Sequence, residues 1–252
     1  MKKELRDKVK NMMNKKADIR FETSKDNKEV SLYIYGPIGD YYFNSNSAEM
    51  IRRKLQDVKA EKIHVHINSG GGSAFDGVAI MNLLINHKAE IIIHIDGLAA
   101  SAASVIAMAG DKIIMPSNTM MMIHRAATFE YGSASVFEKT ANDLKKIDIA
   151  LAASYKKRFV GELGELEQLL DDETFLTADE AVAFGFADVV EDEIEIKELE
   201  DLDNEDQDNK EEYDNLKDKL VAKYSAKKEE LTITKPVVKV RNNFANLFTK
   251  LN

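Results

Sequence analysis

The sequence contains no cysteine among its 252 residues. This absence excludes a disulfide scaffold, a cysteine nucleophile and any metal site built from thiolates. Positive charge is also in deficit, because 35 Lys and Arg residues face 44 Asp and Glu residues, for a net charge of −9. Since phosphate backbones bind surfaces with an excess of Lys and Arg, we expect no nucleic-acid partner.

Long apolar runs are missing as well. The longest candidates, IIIHI and SVIAMAG, fall far short of the roughly 18–20 residues needed to cross a bilayer. The basic N-terminal stretch MKKELRDKVKNMMNKK lacks the continuous apolar core of a secretory signal peptide. We therefore expect a soluble protein of the cytoplasm with no membrane partner.

From about Val30 the sequence alternates between short apolar runs and helical patterns. The runs that predict strands are VSLYIYGPI, KIHVHIN, EIIIHID, KIIMP, TMMMIHRA and the end of TADEAVAFGFADVV. The stretches that predict helices are SNSAEMIRRKLQDVKA, FDGVAIMNLLINH, SAASVIAMAG, residues 133–159 and the start of TADEAVAFGFADVV. Unbroken apolar strands alternating with helices are typical of a layered α/β core, with parallel strands buried on both faces.

Composition divides the chain into three parts. Residues 1–29 form a charged N-terminal segment, in which residues 1–17 are predicted to be a short helix or a frayed terminus. Residues 30–190 form the α/β core. Residues 191–252 comprise an acidic linker, an isolated charged helix in LKDKLVAKYSAKKEE, and a more apolar tail that could dock elsewhere.

Three short segments, each just beyond a predicted strand, are candidates for chemistry, because active sites of parallel sheets gather there. They are the glycine-rich loop NSGGGSAFDG, the turn GLAAS that ends on Ser101, and IHRAA, which contains His124. Taken singly, each has a structural explanation: a tight turn, a helix N-cap and a histidine at the rim of the core.

Together these segments are the parts of a serine hydrolase. A serine hydroxyl needs an imidazole to take its proton, and the oxyanion needs preformed N–H donors. A carboxylate should orient the imidazole, and LLDDETFLTADEA offers Asp171, Asp172 and Glu173.

The chain resembles the ClpP family of serine peptidases, and within it the phage-encoded head maturation proteases related to ClpP. The matching stretches occur in the family's order over residues 30–190: LYIYGPIGD, INSGGGSAFDGVAIMNLL, IDGLAASAASVIAMAG, MMIHRA and ETFLTADEAVAFGFAD. The resemblance implies a ClpP/crotonase-like layered sheet, protein or peptide substrates (among them capsid or scaffold proteins), a homo-oligomeric ring, no cofactor and the host cytoplasm. Helix 133–159 would then serve both the core and a subunit interface.

The resemblance also implies roles for individual residues. Ser101 matches the nucleophile and His124 the general base, while the N–H groups of Gly72 and Ala102 would form the oxyanion hole. Glu173 stands where the family has its acidic residue, usually Asp, and its longer side chain leaves Asp172 as a competitor. The family's usual SPGG is SGGG here, with Gly70 in place of the proline.

Several alternatives remain open at this point. One is a crotonase-type acyl-CoA enzyme, in which carboxylates on helices would act and Ser101 and His124 would have no role. Others are a non-enzymatic capsid-assembly scaffold, a serine–lysine peptidase, and a housekeeping ClpP-type subunit that works with an ATPase. His64 and His66 share one face of a predicted strand, but the sequence shows no third ligand, so we predict no metal site.

Overall fold

A computed structural model describes residues 18–24, 26, 28–39, 46–191 and 217–225. The strands are β1 Asp18–Thr23, β2 Glu29–Tyr35, β3 Lys62–Ser69, β4 Glu90–Ala100, β5 Lys112–Met115, β6 Met120–Ile123, β7 Thr174–Thr177 and β8 Val189–Val190. The helices are α1 Ala48–Gln56, α2 Ala74–Ile85, α3 Ala102–Ala107, α4 Ala134–Lys156, α5 Leu163–Asp171, α6 Ala178–Ala183 and α7, residues 217–225. The predicted N-terminal helix, residues 192–216 of the acidic linker and the tail lie outside the described residues.

The strands form one mixed sheet flanked by helices, which confirms the predicted α/β class. The order is β1-β2-β3-β4-β5-β8, and β6 pairs with β4 on one side and with β7 on the other. Strands β2 to β6 and β8 pair in parallel, whereas β1 and β7 are antiparallel to their neighbours. No helix within the described ranges is both long enough and apolar enough to cross a membrane.

Strand β4 is longer than its sequence pattern predicted and pairs with two strands in succession. Residues Ile92–His94 pair with β5, and residues Leu98–Ala100, beyond the expected end of the strand, pair with β6. Because β4 and β6 run in parallel with Ala100 opposite Met122, their carboxyl ends meet at one edge of the sheet. Ser101 and His124 directly follow these two ends.

The helices bury one face of the central strands. Residues of β3 alternate between buried and partly exposed, and the buried ones, such as Val65 and Ile67, join a core that includes Ile51 of α1 and Ile80 of α2. The expectation that the strands are buried on both faces is therefore wrong for β2 and β3. The other face of these two strands carries aromatic side chains with polar atoms. In β3 these are the two histidines of the sequence HVH.

Both ends of the described chain add to the sheet domain. Strand β1 pairs with β2 although it precedes residue 30, so the sheet begins within the segment interpreted as charged and N-terminal. Helix α7 is not isolated, because Leu220 and Tyr224 are buried in the core and Lys217 forms a 2.6 Å ion pair with Glu180. The i, i+4 spacing of the two buried side chains explains why this charged helix has an apolar side.

Helix α4 follows its predicted bounds closely, but only its second half is core. Leu151 and Tyr155 are buried, whereas Ala141 is exposed and Leu144 is half-buried. Helix α4 packs against helices α2, α3 and α5, and its predicted apolar stripe extends beyond the buried second half. Helix α5 and strand β7, which follow α4, were not indicated by the sequence patterns.

Candidate active site

Ser101 lies at the junction between β4 and α3 in a conformation that is rare for a side-chain-bearing residue, with φ 57° and ψ −126°. Its N–H donates to the Met122 carbonyl (2.9 Å), which holds it against β6. Its side chain makes no capping hydrogen bond to helix α3. The N-cap explanation therefore does not account for this serine. Strained backbone of this kind costs on the order of 1–3 kcal/mol and occurs mainly at functional sites.

A buried hydroxyl pair supports this strained turn. Ser104 Oγ donates to the Ser101 carbonyl oxygen (2.7 Å), and Tyr155 Oη of helix α4 lies 2.8 Å from Ser104 Oγ. Burial raises the pKa of Tyr155, so its hydroxyl keeps its proton. Helix α4 thereby braces the turn that presents Ser101.

Tyr155→Phe tests this support. The change removes one buried hydroxyl but keeps the ring, so we expect the free energy of unfolding to fall by about 1 kcal/mol. Urea unfolding followed by circular dichroism measures this loss. Tyr131→Phe is the matched control, because Tyr131 is 92% exposed and should leave stability unchanged. Equal unfolding midpoints for wild type and Tyr155→Phe would contradict a stabilising role.

His124 is the partner of the Ser101 side chain. Its Nε2 lies 2.7 Å from Ser101 Oγ, within hydrogen-bond distance. Burial lowers the pKa of His124, while the negative charges of Glu173 and Asp148 and a backbone hydrogen bond with Arg125 act in the opposite direction. The net direction is downward, so the ring is neutral at pH 7 and able to accept a proton.

The three acidic candidates occupy different positions around His124. Asp171 forms a two-pronged ion pair with the Arg125 guanidinium, in which Nη2 lies 2.9 Å from Oδ2. Asp172 terminates helix α5, with its N–H bonded to the Gln168 carbonyl (3.0 Å). Glu173 follows with φ 50°, and its charge raises the pKa of His124 more than any other does. The electrostatics therefore favour Glu173 over the other two.

The glycine loop lies beside Ser101. A side chain on Gly71 would place its Cβ 2.5 Å from Ser101 Cβ and 3.0 Å from Oγ. Gly72 bridges to Ile38 in parallel, and both hydrogen bonds of this bridge use the backbone of Ile38, namely Ile38 N–H to Gly71 O and Ser73 N–H to Ile38 O. In that pattern the N–H of Gly72 points away from Ile38. The N–H of Ala102 is the first of helix α3, where amides lack intrahelical partners.

Two further residues near His124 had no assigned role in the sequence. Arg125 anchors the chain after His124 to Asp171, and Asp148 of α4 accepts a hydrogen bond from the Ala126 N–H (2.7 Å). The sequence did contain one signal that Asp148 is unusual, since its spacing from Leu151 and Tyr155 places all three on one face of α4, which is buried. A carboxylate on an apolar face requires a partner, which only the fold reveals.

His64 and His66 lie on the open face of the sheet, apart from Ser101. His64 Nδ1 lies 3.0 Å from His94 Nε2, and His66 Nδ1 lies 3.0 Å from Asp96 Oδ2. The rings of His66 and His94 stack, with their centroids 4.6 Å apart. In the described part of the chain no three His, Asp or Glu side chains are placed to hold a metal ion together.

The chain matches the family model described as Clp protease over residues 14–193. The match covers well over half of the sequence and includes all eight described strands and helices α1 to α6. It also spans Gly72, Ser101, His124 and Glu173. This match favours a peptidase over the acyl-CoA enzyme that was the main alternative for such a fold.

Proposed function

The chain belongs to the Clp protease family, and we propose that it is a serine endopeptidase with Ser101, His124 and Glu173 as its catalytic triad. One observation carries the proposal: the Ser101 hydroxyl, on a strained strand-to-helix turn, lies 2.7 Å from Nε2 of the partly buried His124 and does not cap its helix. Among the described residues, no lysine hydrogen bonds to this hydroxyl, which disfavours a serine–lysine mechanism.

The proposed reaction has two halves. Ser101 Oγ attacks the carbonyl carbon of the substrate while His124 Nε2 takes the hydroxyl proton. The N–H groups of Gly72 and Ala102 stabilise the resulting oxyanion, and His124 then returns the proton to the leaving amine. Water attacks the acyl-enzyme ester in the same way, which releases the acid and restores Ser101. These steps require no metal ion or organic cofactor.

The proposed substrate is an extended peptide that lies along the glycine loop. The side of Gly72 that faces away from Ile38 offers backbone groups to a strand-like ligand. By resemblance to the phage-type enzymes, we propose capsid or scaffold proteins as natural substrates and head maturation as the process. The residues after 193 lie outside the family match, and such an extension is more typical of the phage-type enzymes. It therefore supports a role in head maturation over that of a housekeeping subunit that works with an ATPase.

We propose a homo-oligomeric ring as the assembled state. The first half of helix α4 carries exposed apolar side chains, among them Phe137 at 52%, that a second copy would cover. A non-enzymatic scaffold that self-assembles could use the same apolar surface of helix α4. Assembly therefore does not distinguish a peptidase from a scaffold, whereas measured peptidase activity does.

A fluorophosphonate probe tests the proposed chemistry directly. We expect the purified full chain to gain one adduct, which tryptic mass spectrometry locates on the peptide that contains Ser101. Intact mass followed over hours would also reveal removal of C-terminal residues by the enzyme. A folded wild-type protein that stays unlabelled alone and with co-expressed capsid protein would contradict the proposal.

The variants Glu173→Gln and Asp172→Asn test which of the two remaining candidate carboxylates orients His124. If Glu173 orients His124, its amide variant should label about 10²–10⁴-fold more slowly, because the amide no longer stabilises the imidazolium. Asp172→Asn should change the rate by less than about threefold. The second-order labelling rate at pH 7.5 is the measurement, and the reverse ranking would assign the role to Asp172.

A further inference from the structure

Asp148 is an ionisable side chain in an apolar setting. It is 9% exposed and lies on the buried face of helix α4, one turn before Leu151 and Ala152. Burying a carboxylate is costly unless it is hydrogen-bonded or paired with a cation. Its contacts should therefore show what the charge is for.

Within the part of the chain that the structure describes, the side-chain hydrogen bond and the ion pair of Asp148 are both made with the two residues that follow His124. Asp148 Oδ1 accepts the Ala126 N–H at 2.7 Å, and Oδ2 lies 3.9 Å from Arg125 Nη1. The Arg125 guanidinium also clasps Asp171, and the Arg125 N–H donates to the Leu170 carbonyl (3.2 Å). The end of β6 is thus tied to α4 through Asp148 and to α5 through Arg125.

We propose that Asp148 is a positioning residue for His124, which holds the chain after the histidine and adds a second carboxylate charge beside its ring. This inference rests on the proposed role of His124 as the general base. Glu173 remains the carboxylate that orients the ring, while Asp148 acts through the backbone of Ala126 and through its field. Tyr155, which follows Asp148 by seven residues on helix α4, supports the turn that presents Ser101. Helix α4 thereby supports both the proposed nucleophile and the proposed base.

The charged groups around His124 define the sign of the expected effect. Glu173 and Asp148 stabilise the imidazolium, and Arg125 lies between Asp148 and Asp171, with Glu167 also acting on its guanidinium. Removing the charge of Asp148 should lower the pKa of His124 further. Since the base must be neutral, the acid limb of the rate profile should then move to lower pH.

The test is the pH dependence of fluorophosphonate labelling between pH 4.5 and 9. In Asp148→Asn the amide oxygen can still accept the Ala126 N–H, so we expect the acid limb to move down by about 0.3–1 pH unit with a modest loss of plateau rate. In Asp148→Ala the anchor is lost too, and the plateau should fall at least about tenfold. Asp143→Asn is the matched control on the same helix, exposed and paired with Lys146.

A second variant covers the case in which Asp148→Asn does not fold. Arg125→Gln removes the cation beside Asp148 and should move the acid limb to higher pH, opposite in direction to Asp148→Asn. Wild-type labelling with identical acid limbs in every folded variant would overturn the positioning role. Absence of wild-type labelling at every pH, both alone and with co-expressed capsid protein, would instead overturn the proposed function, so the two failures are distinguishable.

Discussion

Replacement of Ser101 by alanine is expected to reduce peptide hydrolysis by about 10⁴-fold or more and to abolish fluorophosphonate labelling. In the proposed mechanism this hydroxyl oxygen forms the acyl bond, and residual catalysis in serine proteases that lack the nucleophile comes from binding and the oxyanion hole alone. Release of fluorescence from a labelled unstructured protein such as casein is the measurement. His124→Ala should lose a similar factor, because nucleophile and base act as one unit.

Ser133→Ala is the matched control for Ser101→Ala. Like Ser101, Ser133 precedes a helix and makes no side-chain capping hydrogen bond. Its Oγ lies 2.9 Å from Ser135 Oγ, however, and not beside a histidine. This variant should keep wild-type activity. If Ser101→Ala hydrolysed casein at the wild-type rate, the triad would be refuted, and the scaffold alternative would gain support.

Replacement of Gly72 by alanine is the second change with a large expected effect. The φ of Gly72 is 151°, and an added Cβ would lie 2.1 Å from the Ile38 carbonyl oxygen and 2.9 Å from its nitrogen. Since both neighbours are backbone atoms, the loop itself must move, and the Gly72 N–H would leave the position proposed for an oxyanion donor. Loss of one such donor costs roughly 10²–10³ in kcat.

The same variant should also be less stable, by about 1–3 kcal/mol for the disfavoured backbone angle. Thermal unfolding separates this loss from the catalytic one, because activity is compared at a temperature where both proteins are folded. Gly164→Ala is the matched control, since nothing lies within 4 Å of its added Cβ in helix α5. A folded Gly72→Ala with the wild-type labelling rate would exclude Gly72 from the oxyanion hole.

Local patterns in the sequence predicted the fold class well. Apolar runs of strand length and helical stripes such as Ile51 and Leu55 report burial directly, because each residue's neighbours along the chain determine which face it occupies. Capping signals were equally local: Thr177 and Glu180 form the reciprocal hydrogen bonds of a capping box at the start of α6.

The patterns were less informative where pairing depends on distant residues. Strand β1 has little alternation that would distinguish it from a charged segment, and it is ordered by its partner β2. Strand β4 passes Gly97 without ending, because β6 supplies hydrogen bonds to its last three residues. Helix α7 has charged residues at four of its nine positions. Its docking depends on Leu220, Tyr224 and an ion pair between Lys223 and Glu165.

The sequence by itself determined the layered α/β class and which residues are the candidate nucleophile and base, since Ser101 and His124 each follow an apolar strand. Only the tertiary structure decided that their side chains meet at 2.7 Å, that Ser101 does not cap its helix, and that Asp171 is paired with Arg125. Only the tertiary structure also shows that Asp148 contacts the residues that follow His124. The physical reason is that these contacts depend on how α4 and α5 pack against the end of β6, and no spacing along the chain encodes that packing.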